Sequence, residues 1–285
     1  LGLMAHIGII GGSGLDDPDI LKDARDKTFS TDYGEPSSAL KQGTIGGVAV
    51  SLLARHGRRH TIPPTQVNYR ANIDALRQAG VTHILATTAV GSLREEIRPG
   101  HLAVLDQFID FTRFRNVTFH ESFEPDKPVH VSTADPFDAD LRALLCTLCG
   151  DLGFEHHQKA TVVTIEGPRF STRAESHMFR SWGADVINMS IAPECALANE
   201  AGVPYAAVAM STDYDCWKED EEPVSWEEVY RIFKENADKV TRLLASAVPR
   251  IAAAQVGTAK RGGAETGTAG APGDGDDSTA GIPSS

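Results

Sequence analysis

Residues 46–88 read GGVAVSLLARHGRRHTIPPTQVNYRANIDALRQAGVTHILATT. The opening GGVAVSLLA (46–54) is a continuous run of aliphatic and β-branched side chains, the pattern of a strand buried on both faces. It runs straight into five basic or imidazole side chains, Arg55, His56, Arg58, Arg59 and His60. After two prolines, residues 67–79 take up helical spacing and stop at Gly80, the position of a C′ glycine. Residues 82–87 then return to strand. Strand, helix and strand in that order make the unit from which α/β domains with mostly parallel sheets are built.

The same alternation extends in both directions. Residues 6–10 (HIGII) form a short apolar strand that ends in Gly11, Gly12, Ser13 and Gly14. Downstream, HLAVLDQFID (101–110), TVVTI (161–165), ADVINM (184–189) and YAAVAM (205–210) are further apolar runs. Helices are predicted between them over 137–150 and 173–182. Ser225 and Glu228 fit a capping box, and Trp226, Val229, Ile232, Phe233, Val240, Leu243 and Leu244 give the helix that follows one apolar face. The organisation expected is therefore one catalytic domain over 1–255. Residues 256–285, rich in Gly, Ala, Ser and Asp, form a tail too poor in apolar surface to order itself.

Of 285 residues, 39 are acidic and 27 basic, for a net charge of −12. A chain that wraps nucleic acid needs clustered positive charge, so a small anion is the better partner for the Arg/His run. No stretch reaches the roughly 20 apolar residues that cross a bilayer, and no leader pattern opens the chain. A cytoplasmic protein without a membrane partner is the expectation. Four scattered cysteines, Cys146, Cys149, Cys195 and Cys216, make no disulfide framework; Cys146 and Cys149 mark one face of a helix.

In open α/β sheets ligands gather at the carboxyl ends of strands, and the polar loops here follow strands. The glycine turn at 11–14 matches neither the dinucleotide fingerprint nor a P-loop. An oxyanion held by backbone N–H groups and the Ser13 hydroxyl, or a plain glycine turn, both remain open. At the next strand end Arg55 and His56 suit a tetrahedral oxyanion, since a guanidinium fork makes paired charge-assisted hydrogen bonds. Residues 87–92 (TTAVGS) offer hydroxyls and amides in a third loop. His56 and His60 lack the partners of a zinc site. NMSIAPE (188–194) and STDYDCW (211–217) form two more polar loops. Asp213 and Asp215, at i and i+2, project to one side of an extended segment. Metal binding, glycosidic acid–base chemistry, recognition of an exocyclic amine and an aspartate-stabilised turn all fit such a pair.

The segments IGIIGGSGL (7–15), LLARHGRRHTIPPTQVNYRANI (52–73), TTAVGSLREEIRPG (87–100), TIEGPRFSTRAESHMFRSWGADVINMS (164–190) and MSTDYDCW (210–217) together resemble the 5′-methylthioadenosine phosphorylases. These are the 6-aminopurine branch of the trimeric purine nucleoside phosphorylases. The resemblance implies a single α/β domain with a mixed, mostly parallel central sheet flanked by helices, and a homotrimer. It implies phosphorolysis of 5′-methylthioadenosine in purine and methionine salvage, with inorganic phosphate as co-substrate and neither metal nor organic cofactor.

Carried over position by position, Ser13, Arg55, His56, Thr88, Ala89 and Ser190 contact phosphate. Met189 faces the ribose, Phe170 the purine or sugar, and Asp213 and Asp215 the purine edge. Trp226, Val229 and Tyr230 fall at the 5′ substituent, where Trp226 is bulkier than the family's small aliphatic residue. His130 matches a residue reached from the adjacent protomer. FTRFR (111–115) departs from the family pattern after QFID. The chemistry agrees, because phosphorolysis needs a positioned anion on one side of the sugar carbon and an acid on the departing base. An aspartate at 213, where 6-oxopurine enzymes carry asparagine, favours a 6-amino base. Alternatives are a phosphorylase for 6-oxopurine nucleosides or methylthioinosine, and a nucleoside-binding protein without activity.

Overall fold

A computed structural model of the chain describes residues 4–12, 15, 19–219 and 226–254, apart from the side chains of 226, 228–230 and 233–235 in the last helix. Ser13, the tail at 256–285 and the side chains of Trp226, Val229 and Tyr230 therefore lie outside the described residues.

In chain order the elements are β1 (His6–Gly11), β2 (Lys22–Lys27), β3 (Leu40–Ile45), β4 (Val48–Ala54), α1 (Tyr69–Gln78), β5 (His83–Ser92), β6 (Leu102–Val104), β7 (Gln107–Phe111), α2 (Ala139–Asp151), β8 (His156–His157), β9 (Thr161–Ile165), α3 (Arg173–Ser181), β10 (Val186–Asn188), α4 (Ile191–Glu200), β11 (Tyr205–Asp213) and α5 (Trp226–Ala254). The strands form one mixed, mostly parallel sheet in the order β2-β3-β4-β1-β5-β10-β9-β7. From it β11 branches off β5, followed by β6 and β8. The central strands β4, β1, β5 and β11 run parallel.

Burial on both faces explains the unbroken apolar runs. Ile7 and Ile9 of β1 join Leu145 of α2 and Leu243 of α5 in one core layer. Ile10 joins Ile73 of α1 and Leu197 of α4 in the other. Helix starts are set by short polar caps: Asn68 accepts from the Ala71 amide at α1, Asp138 from two amides at α2, and Thr172 pairs with Glu175 in a capping box at α3. Gly80 follows α1 at φ +80°, where a side chain would be strained. Cys149 packs in the core on α2, and burial pushes its thiol up to about 12.

Two expectations change. HLAVLDQFID is two strands rather than one, with β6 against β11 and β7 against β9. Residues 87–92 do not leave the sheet as a loop, because pairing with β11 holds them as the second half of β5. The fully exposed KDARDK of β2 is an edge strand without apolar alternation, its charges blunting an edge that would otherwise pair with other chains.

Candidate active site

One cavity of about 500 Å³ opens where β1, β4, β10 and β11 end and β5 runs past. Of the residues singled out in the sequence, it brings together Arg55, His56, Thr88, Ala89, Phe170, Met189, Ser190, Asp213 and Asp215. His130 lies elsewhere, on an exposed loop with its ring edge-on to Phe123.

At one end the sequence places Arg55 directly after β4, where its backbone amide donates to the Gly11 carbonyl. The side chain is 1% exposed. Its paired bonds go to a carboxylate of the protein rather than to an open oxyanion site: Nε donates to Oε2 of Glu194 at 2.6 Å and Nη2 to Oε1 at 2.7 Å. Nη1 donates to the Thr87 carbonyl at 2.9 Å, and the Tyr205 hydroxyl donates to Glu194 at 2.7 Å. The reason is electrostatic, since a guanidinium taken fully out of water requires a partner charge. Burial works against its charge, but Glu194 outweighs burial and raises its pKa. Each terminal nitrogen keeps one further N–H. Nη1 lies so close to Gly12 that a Cβ there would stand 2.8 Å from it.

Beside Arg55, the Nδ1 of His56 donates to the Ile62 carbonyl at 2.9 Å. Burial, and then the neighbouring Arg55 charge, push the His56 pKa down to about 3, so the ring is neutral. Across the cavity Asn188, at the end of β10, accepts from the Thr164 hydroxyl and donates to that of Thr88 at 3.1 Å. The Thr88 and Ser190 hydroxyls stand 3.2 Å apart. Ser190 occupies the N-cap of α4 without capping it, which leaves its hydroxyl turned to this cluster.

The other end is carboxylic. A bulge in β11 between Ser211 and Asp213 ends the strand. Asp213 then accepts from the Asp215 amide through Oδ1 and from the Thr212 hydroxyl through Oδ2, both at 2.7 Å. Asp215 has φ +50°, a left-handed conformation that aspartate tolerates better than most side chains. Burial raises its carboxyl pKa above the usual range. Gly91 of β5 lies directly beneath: a Cβ there would meet Asp213 Oδ1 at 2.9 Å and Ile187 Cγ2 at 3.1 Å. Phe170 and Ser171 form the wall after the turn that follows β9.

Sequence reasoning missed three residues that build this site. Glu194 belongs to NMSIAPE, and a carboxylate flanked by Ile191, Ala192 and Cys195 signals a buried partner for some cation. Asn188 orients two hydroxyls from the end of an apolar run. Arg115, in the FTRFR segment, is 3% exposed as a side chain and pairs with Glu166. It also donates to the carbonyls of Ile165, Glu166 and Ala192, bracing the wall and the start of α4. Among the described residues no group of three or more His, Cys, Asp or Glu is placed to hold a metal ion. No described helix is long and apolar enough to cross a membrane.

Residues 6–249 match the family model described as the phosphorylase superfamily. The chain is 56% identical over 250 residues to the S-methyl-5′-thioadenosine phosphorylase of Xenopus tropicalis, covering 87% of this chain and 89% of that one. It is 50% identical over 247 residues to the enzyme of the same name from Thermofilum pendens, covering 86% and 92%. Among solved structures it is similar to the methylthioadenosine phosphorylase of Schistosoma mansoni in complex with adenine, with a TM-score of 0.84, 42% identity, and coverage of 87% and 92%. A single-site mutant of the adenosine/methylthioadenosine phosphorylase from that organism, in complex with methylthioadenosine, matches with a TM-score of 0.82 at 41% identity, covering 87% and 92%.

Proposed function

The chain belongs to the phosphorylase superfamily, on its S-methyl-5′-thioadenosine phosphorylase branch, and from that premise we propose that it cleaves 5′-methylthioadenosine with inorganic phosphate. The products are adenine and 5-methylthioribose 1-phosphate, and the enzyme is a pentosyltransferase of purine and methionine salvage. The observation that carries this reading is the polarity of the cavity, with cation and hydroxyl donors at one end and a carboxylate pair at the other.

A phosphate oxygen bonds to C1′ as the N9–C1′ bond breaks, and the bonding pair leaves with the purine. Nη1 of Arg55, the Thr88 and Ser190 hydroxyls, the Ala89 backbone and His56 hold the phosphate below the sugar, with Ser13 completing the set. Met189 and Phe170 pack against sugar and base. Asp213 and Asp215 face the purine edge, accept from its 6-amino group and deliver a proton toward N7 as negative charge grows there. Burial raises the Asp215 pKa, the direction required of an acid that is to serve the departing base. Anionic nucleophile and acid supply both halves of the displacement, so phosphate is a co-substrate and the reaction calls on neither metal nor organic cofactor. The remaining expectations stand with this proposal. A homotrimer brings His130 to a neighbour's cavity, Trp226 and Val229 border the 5′ substituent, and the enzyme works in the cytoplasm.

Base release from methylthioadenosine, adenosine, inosine and methylthioinosine, with and without phosphate, tests the reading by chromatography. Phosphate-dependent release fastest from methylthioadenosine is expected. Release confined to the 6-oxopurine nucleosides, or none at all, would overturn it.

A further inference from the structure

Asp213 and Asp215 sit in a segment that is pegged down on its far side. Tyr214, the residue between them, is buried, and its hydroxyl donates to the Glu95 carbonyl at 3.2 Å. Two residues past Asp215 the indole Nε1 of Trp217 donates to the Ser92 carbonyl at 2.8 Å. Lys218 Nζ reaches a Glu95 carboxylate oxygen, also at 2.8 Å. All three pegs land on 92–95, where the chain leaves β5 just after the Gly91 that underlies Asp213.

Helix α3 closes the same segment from behind. The Arg180 guanidinium lies over the Trp217 ring, 3.5 Å from its centroid, and Nη1 of that fork donates to the Leu93 carbonyl. One turn earlier on the same face of α3, Ser176 is sealed from solvent and brings its hydroxyl beside Asp215, where burial raises the carboxyl and the hydroxyl opposes that rise. The indole is therefore held at its edge by one residue of the β5 exit and on its face by a cation tied to the next. Asp215 stands between these holds at φ +50°, a conformation that persists only where its surroundings impose it.

We propose that Trp217 and Arg180 are positioning residues, a latch that clips the segment 213–217 onto the end of β5 and so aims the acid pair at the departing base. The role rests on the phosphorolysis reading and names what points its acid. Neither side chain lines the cavity. The latch acts through the backbone between Asp213 and Trp217, and a shift there swings the carboxyls without touching the anion end.

The test compares the full chain with Trp217→Phe, which keeps a ring under Arg180 and loses the Nε1 donor. Cleavage of 5′-methylthioadenosine and of its 2-fluoro analogue is followed with phosphate varied, beside calorimetric titration with adenine. Fluorine draws charge off the base, so that base departs with less help from an acid. Trp217→Phe is expected to lower kcat for methylthioadenosine about tenfold, the upper size of one lost hydrogen bond, and to weaken adenine about fivefold. The loss on the fluorinated substrate should stay within about threefold, and phosphate KM should hold. Arg180→Lys, a gentler change that keeps a cation over the ring and gives up the fork, should show the same pattern at about threefold. Equal losses on both substrates mean that the indole serves the fold alone and overturn the proposal. An unchanged kcat, or a loss carried by phosphate KM, overturns it as well. Any of these in a chain that cleaves methylthioadenosine leaves phosphorolysis standing. If the unaltered chain cleaves neither substrate, phosphorolysis falls, and adenine binding alone decides the latch: weakening in Trp217→Phe supports it and unchanged affinity overturns it.

Discussion

Arg55 and Glu194, at the end of the cavity proposed to hold the anion, are 1% and 0% exposed, and the hydroxyls of Thr88 and Ser190 are fixed by Asn188 from behind. At the end proposed for the base Phe170 is 47% exposed, and the acids ride on a strand bulge and a left-handed residue. The contrast teaches where each task sits in the chain. The anion end is a sealed network whose members come from strand ends far apart in sequence, so it is preorganised and costly to disturb. The base end is local, shaped by one bulge and one glycine, and its wall is open.

The largest effect is expected at the sealed end. Glu194→Ala leaves a buried guanidinium without its counter-charge and should cost about 3–5 kcal/mol of stability in urea denaturation. A loss below about 1 kcal/mol would mean that the network is not sealed, because exposed ion pairs are worth no more. At the open end Asp213→Asn should lower kcat/KM for methylthioadenosine about 100-fold. It should also raise relative activity on inosine and leave phosphate KM within about threefold, as for a group that acts on the leaving base alone. An unchanged base preference would sink that role. Gly91→Ala, which drives a methyl to 2.9 Å from Asp213 Oδ1, is expected to cost about tenfold in kcat/KM through misplacement of the carboxyl. Phosphate KM should again hold, and a change there instead would show that the two ends are not separable.

The last effect is spread over several pH units, in the pH dependence of stability. The His56 pKa falls from an ordinary 6.5 to about 3 in the folded chain. As pH drops through that window the unfolded chain binds a proton that the folded chain refuses, so this ring contributes stability above pH 6.5 and loses it toward pH 3. The slope approaches ~1.4 kcal/mol per pH unit at most. His56→Asn should flatten the acid limb of a denaturation series, and an unchanged limb would mean that the ring titrates freely.

The open end was the more legible of the two. Asp213 and Asp215 declare themselves within five residues of an apolar strand, and Arg55 and His56 stand at the end of another. What could not be read was which groups meet through space. Glu194 lies 139 residues from Arg55, and nothing in IAPEC says which cation it serves. The helices α1 and α2 follow from periodicity to within two residues at each end, since their caps are written locally. HLAVLDQFID offered no sign of its division, because both halves are apolar and only their neighbours in the sheet differ. KDARDK in β2 carries no hydrophobic signal at all, and its pairing with β3 is decided by the sheet edge.

Thr88, at the anion end, and Gly91, beneath the acid, are three residues apart on β5, about 10 Å at the rise of a strand. That strand is gripped on its flanks by β1, β10 and β11. On the proposed reading, the interval from nucleophile to leaving group is thus ruled by backbone geometry, like the fixed jaw of a caliper. Inserting one residue between them would slip the register against β10 and the end of β11 at once. Evolution toward other nucleosides has the wall and the far rim to work with, and the gauge itself is not adjustable.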